Sequence, residues 1–222
     1  MNGRLVRFLV FAAAFLSAAA FAVTDDFSDG KTAFSANKPA EAIPLFERAL
    51  AAQNPSPDIY NYLGLSYYQT GDFAKSLEVF AKGMDAPGAN KRVLTFNAGN
   101  AAFALEDYKK AEELYSLALS ADPDFPDAVL NRANARISQR LWEDSAGDYR
   151  RYLELAPDSP QGAAIRELIA RLTAQAEEEK RLEALKAVSG ERRRELMRDT
   201  ASRLAPMGGK DTPIAPPSPA LE

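Results

Sequence analysis

A motif of about 34 residues recurs four times along this chain, and this repetition restricts the folds available to it more than any other feature. A small residue stands at the same place in each unit, a second small residue follows twelve positions later, and an aromatic residue four positions after that. The three sets are Gly30, Gly64, Gly99 and Ala133; Ala42, Ser76, Ala111 and Ser145; and Phe46, Phe80, Tyr115 and Tyr149. Self-similarity at such a period is typical of proteins that stack one supersecondary unit repeatedly.

The spacing of the small residues predicts a pair of antiparallel helices in each unit. Two helices approach to about 8–10 Å only where small side chains meet. The aromatic residue is then expected to fill the groove between one helix pair and the next. The four units are residues 23–56, 57–91, 92–125 and 126–159.

The period and the pattern resemble the tetratricopeptide-repeat (TPR) family. This resemblance implies an all-α fold, a right-handed solenoid of four helix pairs whose first helices line a concave groove. Its terminal units need a polar cap, because one face of an end unit has no neighbour.

The residues after the repeats supply such a cap. A helix over residues 160–188 carries Ile165, Leu168, Ile169 and Leu172 on one face, which predicts a capping helix. Its more polar second half is expected to extend into solvent or to bind a partner. Residues 189–222 are expected to form a short polar helix and a disordered, Pro-rich tail.

The first 22 residues have the pattern of a secretory signal. Arg4 and Arg7 precede the apolar run Phe8–Ala22, which ends in the cleavage-type sequence Ala20-Phe21-Ala22. The run is shorter than the roughly 20 residues that span a membrane. We therefore expect cleavage after Ala22, export to the periplasm or cell envelope, and no stable membrane insertion; an uncleaved anchor is the alternative.

Composition argues against catalysis. The chain contains no Cys and no His, which excludes thiolate and imidazole metal ligands and nucleophilic or acid–base chemistry by those groups. We expect no catalytic residue, metal or cofactor. A net charge of −4 also gives no basic field that would attract nucleic acid.

The resemblance implies that ligand contacts come from positions on either side of the small residue of each first helix. These partner-binding candidates are Asn61, Leu65, Tyr68, Phe96, Asn97, Asn100, Phe103, Asn131, Asn134 and Ile137. Asn side chains can bond the backbone of an extended peptide. Some of them, Asn97 and Asn131 in particular, could instead bond neighbouring helices.

Basic residues are scarce among these candidates. Some family members clamp a carboxylate with Lys, Arg and Asn, and a clamp of that kind is not expected here. Arg132 and Arg136 occupy places where apolar residues are usual, and they either pair with acids of the capping helix or extend toward ligand.

Two functions remain open on this basis. The first is a protein-interaction scaffold or adaptor in the cell envelope, which binds a protein or peptide in the groove. The second is a small-molecule-binding accessory subunit of a periplasmic transport system. The sequence leaves the partner and the oligomeric state open.

Overall fold

The computed structural model describes residues 26–53 and 55–204, and within these ranges the only regular secondary structure is helical. The signal predicted at residues 1–22 and the tail from residue 205 lie outside the described residues. The helices are 26–35 (α1), Pro39–Leu50 (α2), Ile59–Gln69 (α3), Phe73–Met84 (α4), Lys91–Ala104 (α5), Tyr108–Ala121 (α6), Pro126–Ser138 (α7), Trp142–Leu155 (α8) and Gly162–Leu204 (α9).

Side-chain caps begin several of these helices. Asp72, Asn90 and Asp107 each accept a hydrogen bond from the backbone N–H three residues later, at 3.1–3.2 Å. Such a cap occupies one of the amide donors that a helix N-terminus leaves without a partner. The sequence thus sets the start of α4, α5 and α6 locally.

A left-handed residue ends the first helix of each pair. Asn37, Gly71, Glu106 and Arg140 occupy the same position of successive units, and their φ angles lie between 57° and 82°. Only Gly71 adopts this conformation without a steric cost from Cβ. Three units therefore accept strain at the turn to keep their two helices antiparallel.

The small residues allow the two helices of a pair to touch. Cε1 of Tyr115 lies 2.6 Å from the point that a Cβ atom on Gly99 would occupy, and Cε1 of Phe46 lies 2.5 Å from the same point on Gly30. The aromatic ring thus packs inside its own helix pair, whereas the sequence suggested a place between pairs. The reason is that Gly leaves a gap in the first helix wide enough for a ring.

Serine adds a polar link at this contact in two units. Oγ of Ser76 donates to the carbonyl of Gly64 at 2.8 Å, and Oγ of Ser145 donates to the carbonyl of Ala133 at 2.9 Å. Both serines are fully buried. The bond satisfies a hydroxyl that would otherwise be costly to bury.

The start of α9 closes the last pair. Ile165 and Leu172 are buried with Tyr149 and Tyr152 of α8, and Leu168 and Ile169 pack against the same cluster. The predicted all-helical solenoid of four helix pairs with a capping helix is confirmed. This compact unit ends at Thr173, and a second unit begins at Ala174. Although a separate short helix is expected from residue 189, α9 continues without a break to Leu204.

Arg132 and Arg136 join three helices through a buried acid. Arg132 binds both carboxylate oxygens of Asp148, at 2.7 and 2.9 Å, and Arg136 binds Asp148 and Glu112, each at 2.8 Å. Asp148 is 5% exposed. The two arginines therefore pair with acids of α6 and α8, not with the capping helix and not with a ligand. Buried charges are tolerated when they are paired in this way.

Candidate functional site

The first helices α3, α5 and α7 bring five of the predicted residues together around one small cavity. Its volume is about 130 Å³. Its lining consists of Tyr68, Asn100, Phe103, Tyr115, Asn131 and Asn134. We refer to this surface as the first-helix groove.

Hydrogen bonds hold the oxygen atoms of two groove asparagines. Oδ1 of Asn100 accepts from the hydroxyl of Tyr115 and from Nδ2 of Asn131, both at 2.8 Å. Oδ1 of Asn134 accepts from the hydroxyl of Tyr149 at 2.5 Å. Within the described residues, the Nδ2 atoms of Asn100 and Asn134 have no hydrogen-bond partner. The groove therefore presents amide donors whose orientation is set by the tyrosines.

Both tyrosines are in the donating form, and burial strengthens this preference. The pKa of Tyr115 is raised above its ordinary value, chiefly by burial of the phenol, and burial also raises the pKa of Tyr149. A protonated phenol can donate to the Asn oxygen at all physiological pH values. The amide orientation is therefore stable against pH in that range.

Tyr115 lines the groove, although the repeat pattern predicts only a packing role for it. A signal for its second role is present in the repeat itself. The residue after the small residue is Asn in units three and four, where the aromatic is Tyr115 or Tyr149. It is Lys31 or Leu65 where the aromatic is Phe. Asn therefore occurs only in the units whose aromatic residue is Tyr, and the Tyr hydroxyl can donate a hydrogen bond to the Asn side chain.

Two aromatic side chains of the groove are supported by the helix that follows. The rings of Tyr68 and Phe73 have centroids 5.2 Å apart, and those of Phe103 and Tyr108 are also 5.2 Å apart. Both pairs join the end of a first helix to the first residue of the second helix. The contact limits the rotamers of Tyr68 and Phe103 before any ligand is present.

The other five candidates make contacts within the fold. Nδ2 of Asn97 donates to Oδ1 of Asn61 at 2.9 Å, which links α5 to α3. Phe96 packs against Tyr115 and Phe125, with ring centroids 5.9 and 4.8 Å away. The partly buried Leu65 and Ile137 each pack against a core cluster. Asn131 and Asn97 do bond neighbouring helices, as the alternative interpretation holds.

The groove lining carries no ionisable acid or base except the two phenols, because the six residues around the cavity include no Lys, Arg, Asp or Glu. In the described part of the chain, no group of three or more acidic, His or Cys side chains is placed to hold a metal ion. The arrangement can therefore donate hydrogen bonds and bury apolar groups.

Solved structures with this fold include MamA from Desulfovibrio magneticus RS-1. It is 13% identical, with a TM-score of 0.59 over 71% of this chain and 96% of that one. The first TPR of Spaghetti (RPAP3), solved with the HSP90 peptide SRMEEVD, is 28% identical, with a TM-score of 0.49 over 53% of this chain and 93% of that one. The MamA likeness establishes the fold alone.

A curated relative is RNA polymerase II-associated protein 3 of Mus musculus. It is 34% identical over 96 residues, which are 43% of this chain and 14% of the mouse protein. The chain thus matches a small part of the relative's length.

These relatives contradict the expectation of export to a periplasm or cell envelope. Proteins of the same name match from Mus musculus, Rattus norvegicus and Homo sapiens, whose cells have no periplasm. The name associates them with RNA polymerase II. The expectation rested only on the short apolar run near the N-terminus.

None of the described helices has both the length and the apolar character needed to cross a membrane.

The repeats themselves match a family model. The model described as "Tetratricopeptide repeat" matches residues 28–89 and 96–160, which together are more than half of the chain. Repeats of this kind serve in protein–protein interaction, and this chain belongs to the tetratricopeptide repeat family.

Proposed function

We propose that this chain binds an extended segment of a partner protein in the first-helix groove. The observation that carries the proposal is the orientation of Asn100 and Asn134, whose amide oxygens are held by Tyr115 and Tyr149. Their amide nitrogens have no acceptor among the residues that the structure describes. Donors that are fixed in advance lower the entropic cost of binding.

The ligand that fits such donors is rich in acceptors. An extended peptide presents backbone carbonyl groups that no secondary structure occupies, and these can accept from Asn side chains. Tyr68 and Phe103 flank the donors and offer aromatic surface for apolar side chains of the same peptide. Aromatic residues are frequent among those that contribute most to binding energy.

The lining also argues for ligand selectivity. Because the cavity has no cationic side chain, a terminal or side-chain carboxylate gains no ion pair there. We therefore expect uncharged or mixed peptides to bind better than strongly acidic ones. A volume of about 130 Å³ is below the roughly 300 Å³ typical of small-molecule sites, which disfavours the small-molecule alternative for this groove.

The test removes the Asn donors while leaving the fold intact. Random 12-residue peptides displayed on phage are selected on the full chain, and enriched peptides are measured by fluorescence anisotropy. Asn100→Asp keeps an oxygen that accepts from Tyr115 but removes both N–H donors, so affinity should fall about tenfold or more. Gln69→Glu, at the exposed end of α3, adds the same charge as a control.

Two results would contradict the proposal. One is unchanged affinity of every selected peptide for Asn100→Asp and for Asn134→Asp. The other is selection of strongly acidic peptides, because the lining offers no cation to hold them.

A further inference from the structure

A second and larger cavity lies between the second helices of units two and three. Its volume is about 580 Å³, and it shares no lining residue with the first-helix groove. The end of α4, the start of α5 and the end of α6 form its walls. The apolar residues of its lining are Ala81, Met84, Leu117 and Ala121.

Leu117 is unusual at its position in the repeat. The equivalent residues of the other units are Arg48, Lys82 and Arg151. Each of these cations forms an ion pair at the surface, with Asp26, Glu78 and Asp124 respectively. Leu117 is 55% exposed instead. Because the fold accepts a cation at this position in three units, packing does not require the leucine.

A second departure from the repeat lies beside it. The position of Thr95 is held by Tyr60 in unit two and by Val129 in unit four. Thr95 is smaller than Tyr60 and more polar than Val129, and its hydroxyl donates to the backbone carbonyl of Lys91 at 2.6 Å. Met84, a flexible and polarisable side chain, lines the space next to it. Unit three thus combines an exposed leucine with an open apolar cavity.

Charged side chains at the cavity indicate what would cover it. Arg92 is already paired with Asp122 at 2.6 Å. Lys91 and Asp85 also line the cavity, and among the described residues neither of them forms an ion pair. A partner that covers the apolar residues of this cavity can therefore place a carboxylate against Lys91 and a cation against Asp85, and so form an ion pair with each.

We infer that this cavity is a second docking site, which takes a bulky apolar side chain of a partner protein flanked by one acidic and one basic residue. The apolar side chain lies against Leu117 and Met84, the acid faces Lys91 and the base faces Asp85. The volume is within the range of about 300–1,000 Å³ that is common for binding pockets. The site is independent of the first-helix groove, so one chain can hold two segments at once.

Phage-displayed 12-residue peptides provide the test. They are selected on the full chain after peptides that bind a Leu117→Lys variant have been removed. That variant restores the residue type of the other units, so it should keep the fold, as circular dichroism will verify. Enriched peptides should share an apolar residue with an acid and a base at fixed spacing, and should bind Leu117→Lys at least about tenfold more weakly.

Lys91→Glu tests the charge assignment. Selection on that variant should replace the acidic residue of the shared pattern with a basic one, while the apolar residue is retained. A pattern that does not change, or the absence of any enriched peptide that depends on Leu117, would overturn the inference. Sedimentation of the full chain and of Leu117→Lys addresses a second copy as the occupant. An oligomer that Leu117→Lys dissociates would also overturn the inference.

Discussion

The hydroxyl of Tyr115 donates a 2.8 Å hydrogen bond to Oδ1 of Asn100 while the ring of the same Tyr115 packs on Gly99. One side chain therefore belongs both to the contact that joins a helix pair and to the groove. The packing of α6 on α5 decides which way the amide of Asn100 faces. The repeat thus couples its stability to the geometry of its candidate binding surface.

Removing this hydroxyl separates the two roles. Tyr115→Phe keeps the ring on Gly99, so we expect the free energy of unfolding to fall by only about 1 kcal/mol. The amide oxygen of Asn100 loses one of its two donors and keeps only Nδ2 of Asn131, so the amide is held less firmly and the affinity of groove-selected peptides should fall. Urea denaturation and fluorescence anisotropy measure the two effects. Phe80→Tyr adds a hydroxyl in unit two, where no Asn follows the small residue, and serves as the control.

Two glycines inside helices should respond to alanine in opposite ways. A Cβ on Gly99 would lie 2.6 Å from the ring of Tyr115, whereas a Cβ on Gly147 would meet no atom within 4 Å. Gly99→Ala should therefore lower the free energy of unfolding by about 1–3 kcal/mol because of overpacking. Gly147→Ala should raise it by up to about 1 kcal/mol because Ala favours the helix. Urea denaturation of both variants measures the difference, and equal effects would contradict the packing described for α5 and α6.

At the left-handed turn positions, glycine should favour the folded state, although elsewhere in the chain it usually lowers stability. Gly71 has φ of 82°, and a Cβ atom added to it would meet no atom within 4 Å, so Gly71→Ala should cost about 1–2 kcal/mol from backbone strain alone. Glu106, with φ of 61° at the same repeat position, carries that strain already. Glu106→Gly should be neutral or stabilising by up to about 1 kcal/mol. Thermal unfolding provides the measurement, and a marked loss of stability in Glu106→Gly would show that the turn is not strained.

Glu112 should make the stability of the fold depend on pH in the acid range. Burial disfavours its charged form, but hydrogen bonds from Arg136 and Gln139 outweigh that effect and lower the pKa of Glu112 below its ordinary value of 4.5. A lowered folded-state pKa means that this stabilisation is present above pH 4.5 and is lost as the pH falls through the folded-state value.

Glu112→Gln removes the titrating group. The variant should be less stable than the parent at about pH 7, and the difference should shrink as the pH is lowered from 4.5. Urea denaturation at several pH values measures both curves. Glu113→Gln, at an exposed neighbouring position, controls for the loss of one carboxylate. A difference between parent and Glu112→Gln that stays constant with pH would contradict the assignment.

The sequence by itself determined the repeat and its helix pairs, because the small residues, the aromatic residues and the capping Asp72 and Asp107 act locally or recur at a fixed period. It also placed Asn100 and Asn134 on the first helices. The localisation predicted from the N-terminal run is wrong, because the relatives come from organisms whose cells have no periplasm.

Only the tertiary structure decided how these residues are used. The partners of Arg132 and Arg136 lie on helices that precede and follow α7, and Asp148 is no closer in sequence than several other acids. The direction of the Asn100 amide depends on a hydroxyl fifteen residues away and on Asn131 in the next pair. The cavity beside Leu117 arises where three helices meet. Such contacts depend on distances between elements, which local propensity and periodicity do not encode.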